Sequence, residues 1–140
     1  MDNDLQELSN DLVIYANRLI RSLRRVHDVP AHARVLSLLD ELGPQGVTAL
    51  AVADRCSQPT MSAAVAQLAD SGLVSKEPNP ADARGSVVAL TDDGLAELRS
   101  YRSAYAVTVA ERLEASGHTT EELATAVALL KDLLTERNPS

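Results

Sequence analysis

The chain has no phenylalanine and no tryptophan, and three tyrosines are its whole complement of Phe, Trp and Tyr. A core without large rings has to be assembled from leucine, valine and alanine. That suits helices, because leucine and alanine lose little rotamer freedom there. Cysteine is nearly absent as well. Cys56 stands alone, which excludes an internal disulfide and the cysteine pairs of a zinc site. No apolar run approaches the roughly 20 residues that span a bilayer. The opening Met1-Asp2-Asn3-Asp4 is acidic where a secretion signal would be basic. The expectation is a soluble cytoplasmic protein.

Positive charge is also scarce. Thirteen Lys and Arg face 20 Asp and Glu, for a net charge of −7. Such a balance argues against a non-specific nucleic-acid coat. It leaves room for a chain that sets a few cations at a defined contact. With 140 residues and 45% hydrophobic content, the chain fits one globular domain and is too apolar for disorder.

Leu5, Leu8, Leu12, Tyr15, Leu19, Leu23 and Val26 step by three or four, predicting an amphipathic helix of about seven turns. It should end near Asp28-Val29-Pro30, since the residue before proline leaves helical space. A second helix is expected from Ala31 to Leu42, with Val35, Leu36, Leu38 and Leu39 inside, stopped by Gly43-Pro44-Gln45-Gly46. Thr48 is placed to cap a short third helix, Ala49 to Arg55, burying Leu50 and Ala53. Ser57 should cap a fourth, with Pro59 in its first turn and Met61, Val65 and Leu68 inside, ending at Ser71-Gly72.

Leu73–Glu77 and Ser86–Leu90 read as strands joined by a turn-rich excursion, Pro78 to Gly85. Thr91 then caps a long helix carrying Leu95, Leu98, Tyr101, Tyr105, Val109 and Leu113. Gly117 ends it. Thr119-Thr120-Glu121-Glu122 has the form of a capping box opening a last helix, with Leu123, Val127, Leu130 and Leu134 on its apolar face.

Short helices followed by a hairpin make a winged helix-turn-helix. The expected fold is therefore mainly α with a small β-hairpin: one domain, 1–140, with a winged lobe at 31–91. The flanking helices, 1–30 and 92–140, carry leucine stripes that a monomer would leave half exposed. A two-fold interface through Leu5, Leu8, Leu12, Leu123, Val127, Leu130 and Leu134 would bury them.

The segment from Leu50 to Ser62, LAVADRCSQPTMS, and its continuation from Val65 to Val74, VAQLADSGLV, resemble the helix-turn-helix of MarR-type regulators. Asn79-Pro80-Ala81-Asp82-Ala83-Arg84-Gly85 resembles that family's wing with its Asp-x-Arg signature. Leu90-Thr91-Asp92-Asp93-Gly94 is similar to its Leu-Thr-x-x-Gly exit. The likeness runs from about Leu5 to Leu134. It implies a homodimer on a palindromic duplex operator, with the fourth helix in the major groove and the wing in the minor groove. It also implies, for many members, release by a small, often aromatic or hydrophobic effector, or by cysteine oxidation.

On that resemblance the candidate DNA contacts are Ser57, Gln58, Pro59, Thr60, Ser62, Ala63, Gln67, Lys76, Asp82 and Arg84. Polar side chains of the fourth helix can donate to phosphates, and glutamine can pair with adenine. An arginine on a hairpin tip suits a narrow minor groove, with Asp82 able to accept its hydrogen bonds. The competing reading is a capped, solvated helix face and a weak surface ion pair. The chain departs from the family at Ala63, where arginine is frequent, and has no Lys or Arg from Ser57 to Ser71. Residues 47–91 hold Arg55, Lys76 and Arg84 against Asp54, Asp70, Glu77 and Asp82, a net of −1.

Arg18, Arg21, Arg24 and Arg25 cluster late in the first helix, where cations suit the dipole or could meet phosphates. Cys56 reads as a structural thiol rather than a redox sensor. His27 and His32 lack further ligands for a metal, and His118, in a loop, points to no role. Tyr15, Leu19, His32, Leu36 and Tyr101 are candidates for an effector pocket, with ordinary packing as the alternative. No cofactor or metal motif, phosphate loop, Gly-x-Ser-x-Gly or plausible Cys/His pair is present, so an enzyme is not expected. Two functions remain: a DNA-binding regulator, probed by salt-sensitive duplex binding, and a winged-helix module for protein contact.

Overall fold

The computed structural model describes residues 1–135, without the side chains of Asp82, Ala83 and Arg84. The chain divides into two compact units, Met1–Ala104 and Tyr105–Ser140. Its elements in order are α1 (Asn3–His27), α2 (Ala33–Leu42), β1 (Gln45–Gly46), α3 (Val47–Asp54), α4 (Gln58–Asp70), β2 (Val74–Asn79), β3 (Asp82–Leu90), α5 (Asp92–Ala115) and α6 (Thr120–Leu134).

The core of the first unit is aliphatic, as the missing rings require. Val35, Leu36 and Leu39 of α2, Leu50 and Ala51 of α3, and Met61, Val65 and Leu68 of α4 pack with Val74, Val88 and Leu98. The triplet in α4 falls at i, i+4 and i+7, one face of a helix. α1 contributes little: Leu23 is its one buried residue. The first helix ends at Asp28, whose backbone turns left-handed (φ 46°) and donates its N–H to Arg24 O.

Three boundaries differ from the expectations. α2 starts at Ala33, not Ala31, because Ala33 N–H donates to Pro30 O (3.0 Å) and closes a turn first. α3 starts at Val47, capped by Gly46 rather than Thr48, and buries Ala51 while Ala53 stays exposed. The cause is β1, a strand too short to read from sequence. Gln45 and Gly46 pair with Val88 and Val87, which fixes the chain one residue ahead of the helix. The third difference is the hairpin. Both strands run on into the segment expected to be turns, leaving Pro80 and Ala81 between them. The sheet order is β1-β3-β2, all antiparallel. β2 is thus an edge strand, where Pro78 costs no interior ladder bond. A register shift at Pro78/Asn79 absorbs the irregularity. Asn79 Oδ1 then accepts the Ala81 N–H at 3.0 Å and turns the chain.

The entry to α5 is built as the Leu-Thr-x-x-Gly pattern suggested. Thr91 Oγ1 accepts the Gly94 N–H (3.0 Å) and donates to Gly72 O (2.6 Å). Gly94 lies against Leu73 so closely that a Cβ would overlap the Leu73 carbonyl.

In the second unit, α6 begins with a complete capping box. Thr119 Oγ1 accepts the Glu122 N–H (3.1 Å), and Glu122 Oε1 accepts the Thr119 N–H (3.1 Å). None of the residues of α6 is buried.

Candidate nucleic-acid interface

The turn between α3 and α4 sets the site. Arg55 is left-handed (φ 54°) and its N–H reaches back to Ala51 and Val52 O, so α3 stops there. Cys56 follows, half-buried against the core, with its N–H on Ala51 O (3.0 Å). Arg34 of α2 braces the turn from outside, its Nε 3.3 Å from Asp54 Oδ1 and its Nη2 3.5 Å from Oδ2. This pairing joins residues 20 apart, and neither segment announces it.

Ser57 then caps α4 as expected. Its Oγ accepts the Thr60 N–H (3.2 Å) and donates to Thr60 Oγ1 (2.8 Å). Thr60 Oγ1 is thereby an acceptor inside the cap. With Met61, Val65 and Leu68 buried, the residues Gln58, Pro59, Thr60, Ser62, Ala63 and Gln67 all lie exposed on α4. The sequence-based candidates on this helix are therefore brought onto one solvent-facing surface. They offer neutral donors and acceptors and a methyl, and no charge.

A helix N-terminus can supply phosphate contacts through its free N–H groups. In α4 that supply is thin. Pro59 has no N–H, and Thr60 N–H is already given to Ser57. Gln58 N–H is the donor left in that first turn among the described residues.

Lys76 is exposed on β2, opposite Val88. Asp82 and Arg84, the wing candidates, have side chains outside the described set. Of the candidate effector residues, Leu36 is buried in the core and Tyr101 packs against it. His32 is half-buried, while Tyr15 and Leu19 stand exposed on α1. Tyr101 donates to Glu97 Oε1 (2.7 Å). Burial and that carboxylate push its phenol up to about 12.

The MarR family model matches residues 30–86, which span the lobe from α2 to the wing. A curated HTH-type transcriptional regulator of Mycobacterium tuberculosis is 32% identical over 143 residues, covering 99% of both chains. The chain belongs to the MarR family.

Solved structures agree on the fold. Wild-type MarR from E. coli, without ligand, superposes with a TM-score of 0.68 at 24% identity, covering 94% of this chain and 96% of that one. A cysteine-to-serine mutant of E. coli MarR, complexed with operator DNA, gives a TM-score of 0.58 at 24% identity, covering 95% of each chain. As a MarR-family HTH-type protein, this chain is a transcription regulator and not an enzyme. Among its described residues, no helix is long and apolar enough to cross a membrane.

Proposed function

We propose that this MarR-family protein acts in the cytoplasm as a homodimer on a palindromic duplex operator, and represses transcription until a small aromatic or hydrophobic effector releases it. The observation that carries the DNA reading is the division of α4. Its apolar face is locked into the core, and its polar face, Gln58, Thr60, Ser62 and Gln67, is exposed behind a fixed Ser57 cap. A rigid helix presenting short polar side chains is the form that reads base edges in a major groove. The MarR neighbour solved with operator DNA supports the same use. Arg84 on the wing is assigned to the minor groove and Lys76 to phosphates. The exposed stripes of α1 and α6 support a homodimer.

The test is a fluorescence-anisotropy titration against duplex DNA from the region upstream of its own gene, with scrambled duplex as control. Arg84→Ala and Gln67→Ala are the variants. Saturable binding that prefers the native duplex, weakened by each variant, is expected. Each lost base contact should cost about 1–3 kcal/mol. A second reading, a winged helix used for protein contact, is favoured by the absence of Lys and Arg from Ser57 to Ser71. It prevails if neither this duplex nor any fragment selected from the genome is preferred over scrambled DNA.

A further inference from the structure

Four arginines late in α1 have no part in that reading. Arg18, Arg21 and Arg25 follow at i, i+3 and i+7, which sets them within about 60° of arc along about 10 Å of axis. Arg24 stands beside them. All four are exposed, and all four line an open depression of about 570 Å³. Among the described residues none of the four has a carboxylate partner, unlike Arg34 and Arg102, which pair with Asp54 and Asp40. Arg18 rests over the Tyr15 ring, 5.4 Å from its centre. That contact holds one guanidinium in place without neutralising it.

The helix dipole accounts for part of this only. Its influence is confined to the last turn, which holds Arg24, Arg25 and His27. Arg18 and Arg21 lie before it. Like charges at these spacings repel, so the cluster costs the isolated helix something. Four of the chain's 13 basic residues nevertheless fall in the eight positions 18–25, with no acid among them. In a chain of net charge −7, that is the densest run of positive charge in the sequence.

Its place in the fold matters. α1 ends at His27, and a turn closed by Ala33 N–H to Pro30 O (3.0 Å) leads straight into α2. Arg34, in the first turn of α2, is bound to Asp54 at 3.3 Å. Asp54 lies three residues before Ser57, the cap of α4. The basic end of α1 thus leads through one short turn into α2, whose Arg34 braces the turn that precedes the recognition helix. That helix brings no cation of its own.

We propose that Arg18, Arg21, Arg24 and Arg25 form a phosphate-binding track that grips the DNA backbone beside the bases α4 reads. The proposal rests on the DNA-binding function above. Guanidinium forks match phosphate oxygens. Phosphates on one strand rise about 3.4 Å each, so a row of about 10 Å faces about three of them. The same chemistry would also hold a free phosphate-bearing molecule, and the two sources are separable.

The full-length protein and an Arg18→Gln/Arg21→Gln/Arg25→Gln variant would be titrated, over a range of salt, against a duplex the wild type has selected from a random pool. Glutamine keeps helix propensity on an exposed face, and circular dichroism checks the fold. The expected result is a salt slope reduced by about 0.9 per lost phosphate contact, so by about 2 to 3 in all. Preference for the selected duplex over a scrambled one should stay, because phosphate contacts carry no sequence information. The Arg→Lys counterpart, which keeps the charge, should keep the slope. If the wild type selects a duplex and the glutamine variant binds it with an unchanged slope, the track is refuted and the regulator stands. If the wild type selects none, the DNA reading falls and the track falls with it. Pyrophosphate titrated into the free protein completes the test. Saturable binding lost in the variant, beside an unchanged DNA slope, would overturn the duplex assignment in favour of a free-anion site.

Discussion

Gly94 shows how far one residue can depend on its surroundings. It sits in the first turn of α5, where helix propensity alone would favour alanine by about 1 kcal/mol. Its missing side chain lets the helix approach the Leu73 carbonyl, which a Cβ would strike. Backbone cannot yield as the end of a flexible side chain can. Gly94→Ala is therefore expected to destabilise the protein by about 3 kcal/mol, the opposite sign from propensity, as read by urea unfolding. A neutral or stabilising result would mean that α5 can pivot away from Leu73. The Leu-Thr-x-x-Gly pattern marks this glycine in the sequence. The reason for it, a contact between residues 73 and 94, could not be seen before the chain was folded.

At the scale of elements, caps decide where helices begin. Ser57, Thr91 and Thr119 were each legible, since the residue type and the spacing to the next helical turn state the chemistry locally. Ser57→Ala should cost about 1 kcal/mol. It should also leave Thr60 N–H without its acceptor, at the turn that aims α4. Hydrogen exchange at Thr60 would report the loss, and an unchanged protection factor would count against the cap. In α6 the capping box carries a pH signature. The His118 ring nitrogen, 3.0 Å from Glu122 Oε2, and the Thr119 N–H together hold the Glu122 carboxyl below its ordinary range. A carboxylate with a depressed folded pKa stabilises the fold above its unfolded value, near 4.3, and that contribution is lost as pH falls through the folded one. An NMR titration of Glu122 should thus find a midpoint below that of an unstructured glutamate. A midpoint at or above it would show that the box opens in solution.

What the sequence concealed lies between elements. β1 is two residues long and exists only by pairing with β3, so no local periodicity marks it. The hairpin strands continue through Pro78 because β2 is an edge, a fact of sheet order rather than of the residues. Arg34 and Asp54 were invisible as partners for the same reason. On α4, by contrast, the 3.6-residue period alone divided buried from exposed positions, and most of the candidate contact surface followed from it.

For the whole molecule the governing fact is apolar surface left in water. Leu8 is 69% exposed and Leu134 82% exposed. Leu5, Leu123, Val127 and Leu130 are exposed as well. Burying a leucine fully yields about 1.5–3 kcal/mol, and a stripe of this length on a monomer would invite association. A second copy is the partner proposed above. It brings together two chains of net charge −7, so repulsion opposes the apolar gain. Added salt screens that repulsion and should tighten the dimer, while it weakens DNA binding by counterion release. Opposite salt dependences in one protein are a sharp expectation, since misfolding or aggregation would move both in the same direction. Sedimentation equilibrium across a salt series should show a dissociation constant falling as salt rises, with Leu8→Glu or Leu130→Glu shifting the population to monomer. The core of the first unit contains neither residue, so these variants should keep its helical signal. A Leu130→Glu chain that stays dimeric at micromolar concentration would show that α6 is not part of the interface. The leucines of α6 would then need another partner.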